Sequence, residues 1–389
     1  MTVIQGVIVA DPASSARPRC DVEFSDGVIV AIRPPSASSG GDAVDGDGLN
    51  LFPGLIDVHV HLCLSPDHHP EDQLPGLSED ELYAQAADNA RVTLAHGVTT
   101  VRDLGSRGDS VRRLKRGSPG DAWPRVICSG PALTIPGGHC HYVGDEIAVT
   151  TQVPAMVTRH AEAGDEWIKL MVTGGALTRG SSPDKLGFDR ATISLAVEQA
   201  HSHGLLVAAH VLSAEGAGLA VACGVDTVEH GIGLAAADLG AMRTADQALV
   251  AILSPSARVL AGATGSADEQ HRAKLGPLVA RLREMVRTAI ETGVDVLAGT
   301  DAGTPNMPHG LVIDELRRLE AVGMSREAVL LAATATAARH LRRPDLGTVR
   351  VGAAADLLLL EGDPLDSLDW LESPVAVLAR GRIVEGTGL

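Results

Sequence analysis

An alternation repeated eight times constrains this chain more than any other feature. Short apolar runs lie at Leu55–Leu62, Val98–Leu104, Arg125–Leu133, Trp167–Gly174, Leu205–Val211, Val225–Gly231, Ala248–Ser254 and Asp295–Thr300. Most are separated by Ala-rich stretches of helical period, such as Glu79–Ala95, Ala191–His203 and Gly276–Thr292. Apolar runs of this length, alternating with amphipathic helices, call for a parallel sheet covered by helices. Eight such units predict an α/β fold of the (β/α)8 TIM barrel type. Ser78, three residues before Glu81, has the spacing of a capping box and predicts a helix start. The connection Ser106–Pro124 is the least regular.

The two ends follow a different rhythm. Gly6–Ala10, Asp21–Phe24 and Gly27–Ile32 are strand-sized, as are Ala355–Leu360, Val375–Leu378 and Gly381–Val384. Ser36–Gly48, rich in Gly, Ser and Asp, predicts a loop. Both termini thus predict β-structure that pairs into one small domain.

Composition bears on partners and compartment. The 389 residues suffice for one large domain and a smaller one, and with 2% aromatics the core must be aliphatic. A net charge of −17, with Arg112–Arg116 as the one short basic run, argues against a nucleic-acid partner. The N-terminus has neither the pattern of a signal peptide nor that of a membrane span. Five cysteines, at 20, 63, 128, 140 and 223, form no CxxC pair and predict reduced thiols in a cytoplasmic protein.

Barrel active sites lie at the C-terminal ends of the strands. The first run ends in Asp57-Val58-His59-Val60-His61, and residues two apart on a strand share a face. The fourth run carries Lys169, the fifth ends at His210, the sixth at Glu229-His230 and the eighth at Thr300-Asp301. Taken singly, each has a bland reading: a hydrogen-bonded structural His, a paired Lys, an Asp capping a helix. Together they place four histidines, a lysine and an aspartate on one rim. Imidazole and carboxylate suit Zn²⁺ and similar ions. An ammonium does not, but a buried lysine of lowered pKa can react with CO₂, and the carbamate has two oxygens able to bridge two metals.

The chain resembles the amidohydrolase superfamily, in its imidazolonepropionase-like and prolidase-like branch. The likeness rests on Phe52–His61, Gly97–Asp103, Ile168-Lys169 with Gly174-Gly175, His210, Glu229–Gly231, Gly299–Gly303 and Gly347–Leu357, and covers nearly the whole length. It implies a catalytic barrel over residues 53–345 and a β-sandwich domain built from residues 1–52 and 346–389. It also implies two divalent metal ions, Zn²⁺ by default. His59, His61 and Asp301 would hold the more buried ion, His210 and His230 the more exposed one, with carbamylated Lys169 and a hydroxide bridging them. Asp301 would act as general base and then acid, so Asp301 and His230 carry the catalytic expectation.

For the substrate, His139 in Gly137–Tyr142 resembles a family histidine that contacts substrate, and His141, Arg179 and His309 are further candidate contacts. His68 and His69 read as lid or surface, while Tyr142 and Trp167 are the aromatics available to a planar substrate. Leu212 stands where prolidase-like relatives commonly carry Tyr, which weakens a dipeptidase assignment. The expected reaction is hydrolysis of a C–N amide bond in a small substrate, either a dipeptide or an N-acyl amino acid. The alternative is opening of an imidazolone- or lactam-type ring. A catalytically silent scaffold and a single-metal deaminase-like enzyme are the rival readings. Among partners only a small molecule is expected, with neither nucleic acid nor membrane, and a homo-oligomer is left open.

Overall fold

The computed structural model describes residues 2–35, 42–117, 122–260 and 269–384. Its centre is a (β/α)8 barrel. The eight strands are Leu55–Val60, Val98–Asp103, Arg125–Cys128, Trp167–Met171, Leu206–His210, Thr227–Glu229, Ala248–Val250 and Val296–Leu297. The first three pair in parallel order, and so do the last five. Ala132–Thr134, which continues the third run, bonds the fourth strand and links the two groups. Backbone bonds from Val58 N to Ala298 O and from His61 N to Ala302 O close the ring between the eighth strand and the first. A sheet closed this way has no edge and delivers eight strand ends to one rim.

The helices fall where the periodicity places them. Glu79–Ala95 starts with a complete capping box, in which Ser78 N donates to Glu81 Oε2 at 2.8 Å while Glu81 N donates to Ser78 Oγ at 3.3 Å. Arg190–Ser202 and Glu269–Thr292 cover the fourth and seventh units. Among its described residues, the irregular second connection holds the six-residue helix Ser110–Lys115. No helix among the described residues is long and apolar enough to cross a membrane, and none of the five cysteines is in a disulfide.

The termini build one eight-stranded sheet. Its order is Arg382–Ile383, Ala376–Ala379, Leu357–Leu360, Asn50–Pro53, Thr2–Val9, Arg19–Ser25 and Val28–Arg33, with Asp42–Asp45 paired to Thr2–Val9. Leu358 opposite Phe52 ties the two ends of the chain together, and Ile4, Val22, Phe24, Leu51, Leu357 and Leu378 form its core. The predicted loop Ser36–Gly48 needs a correction. Asp42–Asp45 is a parallel strand, since the Thr2–Val9 backbone satisfies its hydrogen bonds despite its turn-like composition. Residues 36–41 of that loop lie outside the described residues.

Candidate metal centre

The strand ends bring one buried set of side chains together. His59, His61, Lys169, His210, His230 and Asp301 line a single cavity at the C-terminal mouth of the barrel. Asp301 Oδ1 lies 3.4 Å from His59 Nε2 and 3.0 Å from His61 Nε2. One ligand atom from each of these three residues falls within 4.8 Å of the others. The His230 ring centroid is 5.8 Å from that of His59 and 4.8 Å from that of His210. His230 and Asp301 have φ of +62° and +58°. This left-handed backbone is uncommon outside glycine and is tolerated best by His, Asn and Asp. It lets the chain turn off the strand and aim the side chain over the barrel axis.

Partners on the far side fix the tautomers. His59 Nδ1–H donates to Glu229 Oε2 at 2.6 Å and His61 Nδ1–H donates to Gly105 O at 3.1 Å, which leaves Nε2 of each ring on the side of Asp301. Burial pushes His59 down to about 3 and His230 to about 4, and it lowers His210 strongly as well, so these three imidazoles are neutral at pH 7. For His61, burial acts the same way, but the Asp301 carboxylate outweighs it and raises the ring. Burial brings the Lys169 ammonium down to about 8. Lys169 is 1% exposed, and the Glu229 and Asp301 carboxylates only partly offset the effect of that burial. A buried ammonium is costly even with carboxylates nearby.

The donor set therefore fits divalent metal: three neutral imidazoles, a fourth held against the Asp301 carboxylate, and a buried amine of depressed basicity. Among the described residues Asp246, Asp295 and His340 form a second group of donors, but Arg339 already pairs with both aspartates.

Below the donors runs an ion chain that sequence reasoning left without a role. Arg102, fully buried, lies with its guanidinium carbon 4.2 Å from the Trp167 ring centroid. It donates to Glu229 Oε1 at 3.0 Å, to Thr227 Oγ1 at 3.1 Å and to Val58 O at 2.6 Å. Burial of Glu229 is outweighed by Arg102 and His59, which hold its carboxyl well below the usual range. The chain Trp167–Arg102–Glu229–His59 thus orients the ring from beneath. The signal available in the sequence was a charge inside each of two apolar strands, Arg102 and Glu229. Their pairing across 127 positions was not readable there. Trp167, offered above as a stacking surface, is the floor under Arg102.

Removing one partner of a buried pair typically costs about 3–5 kcal/mol. Glu229→Met is therefore expected to destabilise by about that amount, read by urea denaturation. The double variant Arg102→Met with Glu229→Met is expected to regain most of it while binding metal about 10–100-fold more weakly, because His59 loses its acceptor. A double variant no more stable than the single one would show that the unpaired charge is not the cause.

The predicted substrate contacts divide. His139 and Leu212 line the cavity. The His139 ring is 4.6 Å from that of His210, with Nδ1 held 2.9 Å from Thr178 Oγ1. A Cβ on Gly175 would come within 2.2 Å of this ring, so only glycine leaves it room. Arg179 is a correction. Its guanidinium forks onto Asp72 at 2.6 and 2.7 Å, outside the cavity lining, because two acidic residues of the helix Pro70–Gln73 reach it first. His141 is another, since it closes back onto Gly138 O at 3.1 Å and faces the neighbouring cleft with Tyr142, Arg112 and Arg159. His309 is buried behind Gly303, near the site but not in the cavity wall. His69, read above as lid or surface, is buried with Nε2 3.1 Å from Leu177 O.

The candidate metal donors lie within the region the family comparison covers. Residues 50–387 match the Amidohydrolase family. The chain belongs to the amidohydrolase family. Membership makes it a hydrolase. An uncharacterized protein of Mycobacterium tuberculosis is 34% identical over 86% of this chain and 85% of its own length. An imidazolonepropionase of Nocardia farcinica is 26% identical over 97% of this chain and 98% of its own. Among solved structures, a Xaa-Pro dipeptidase with bound methionine in its active site matches with a TM-score of 0.90. It is 27% identical and covers 99% of this chain and 100% of that one. The resemblance to the imidazolonepropionase-like and prolidase-like branch is therefore shown, as is the barrel fold.

Proposed function

We propose that this amidohydrolase uses two divalent ions to cleave the C–N amide bond of a small N-acyl amino acid or dipeptide. One observation carries the reading: Lys169, buried and of lowered basicity, lines the same cavity as four histidines and Asp301. In this reading His59, His61 and Asp301 would hold one ion and His210 and His230 the other, and Lys169, as its carbamate, would serve both. Zinc is the ion such N and O donors favour. Bound metal would supply Lewis acidity and lower the pKa of water.

The chain's own residues do the rest. Glu229 and the Gly105 carbonyl keep His59 and His61 turned inward. Asp301 takes a proton from water and returns it to the departing nitrogen, general base then general acid. His139, steadied by Thr178, lines the cavity and is the side chain that would meet the substrate carbonyl. Leu64, Met171, Leu177, Leu212, Ile232 and Ile252 make the remaining wall largely aliphatic, which favours an apolar acyl group and excludes bulk water.

The test is a panel of dipeptides, N-acyl amino acids and lactams on zinc-loaded protein. Release of free amino acid with two ions per chain, and loss of turnover on chelation that zinc restores, is the expected result. Ring opening without fragmentation would instead favour the cyclic-amide reading, which the similarity to imidazolonepropionase supports. Turnover that survives full removal of metal would overturn both.

A further inference from the structure

One buried acidic residue in the cavity's surroundings takes no part in the chemistry above. After the seventh strand, Ala248–Val250, the chain turns through Ile252, whose φ is +56°. For a β-branched residue that conformation is a true outlier and persists only where the surroundings over-determine it. Two residues on, the helix Ser254–Leu260 begins, and Ile252, Pro255 and Ser256 form one side of the cavity. The over-determination has a visible source. Glu315, in the helix Val312–Ala321 of the last barrel unit, is fully buried. Its Oε1 accepts from Leu253 N at 2.8 Å and its Oε2 from Ser254 N at 2.7 Å. Both carboxylate oxygens thus bind successive backbone amides directly after the strained residue. Farther along the same segment, Arg258 Nε donates to Asn306 O at 3.0 Å, a second tie to the loop after the eighth strand.

We propose that Glu315 is a positioning residue, a clasp that holds Ile252–Ser256 in the strained geometry that shapes the acyl-side wall of the substrate cavity. This rests on the cavity being the substrate site, as argued under the proposed function. The side chain suits the task because its two oxygens each accept from one of two successive amides, bonds that favour the ionised form against the burial that raises its carboxyl to about 7. Gln at 315 presents one acceptor and one donor, so one amide loses its bond. Asp keeps both acceptors on a shorter arm.

The experiment compares wild type, Glu315→Gln and Glu315→Asp on N-octanoyl-L-alanine and N-acetyl-L-alanine, with hydrogen exchange of segment 252–260 and metal analysis. The expected result for Glu315→Gln is wild-type metal content, faster exchange confined to that segment, and KM for the octanoyl substrate raised about tenfold. Its kcat should stay within threefold and the acetyl substrate should be little affected, with Glu315→Asp recovering part of the KM. Equilibrium binding of the two N-acyl amino acids gives the same comparison without turnover. Equal losses on both substrates, or faster exchange with unchanged KM and affinity, would reduce Glu315 to a structural anchor and overturn the proposal. The reading beneath it fails differently: wild type would then lack metal and turn over neither compound, whereas a failed clasp leaves wild type active and the variants alike.

Discussion

Lys169→Ala is expected to lose both ions and to lower turnover by about 10³-fold or more, since a metal site supplies several kcal/mol to the barrier and each 1.36 kcal/mol is tenfold. Lys169 is among the largest fully buried side chains, and burial lowers its basicity toward neutrality. As a cation it would repel divalent ions, and the neighbouring His59 and His230 already feel its charge in their lowered pKa values. As a carbamate it becomes an anion with two oxygens where the donor set lacks one. Truncation leaves a hole of carboxylate reach, so formate, acetate or propionate should restore part of the activity. Metal analysis, turnover with added acids, and ¹³C NMR after equilibration with ¹³C-bicarbonate check each link. Full retention of both ions in Lys169→Ala would sink the bridge assignment.

Asp301→Asn separates binding from proton transfer. Asparagine keeps an oxygen toward His59 and His61, which lie 3.4 and 3.0 Å from Oδ1, and it preserves the shape that the left-handed backbone at this position demands. What it cannot do is accept a proton. Turnover is therefore expected to fall about 10²–10⁴-fold, the usual worth of one positioned acid–base group. Metal content should be largely kept and substrate KM should change little, the pattern of an interaction made only in the transition state. Activity within tenfold of wild type, or loss of metal in proportion to activity, would remove the proton-shuttle role and leave Asp301 as a ligand alone.

The comparison between reading and structure is clearest at particular residues. His59 and His61 were legible because a strand has a period of two, so their spacing alone puts both on one face. His210, His230 and Asp301 were legible because each ends an apolar run, and a barrel offers only one rim for such ends. Arg179 and His141 misled because loop geometry answers to local partners. Asp72 claims the first and the Gly138 carbonyl the second, and neither competition shows in spacing. Arg102, Glu229 and Glu315 stayed silent for the opposite reason. Their roles lie in contacts 127 and about 60 residues away, and a charge in an apolar run announces that it needs a partner without saying which.

The alternation of eight apolar runs with helical stretches determined the barrel and the rim on which the six proposed donors gather, because periodicity and strand order are local properties that closure turns into a shared rim. Tertiary structure alone decided how those donors are oriented from beneath, which predicted contacts face the cavity, and what holds its wall. Those depend on which buried charge meets which, and in a low-dielectric interior an ion takes the partner that the packing brings to it.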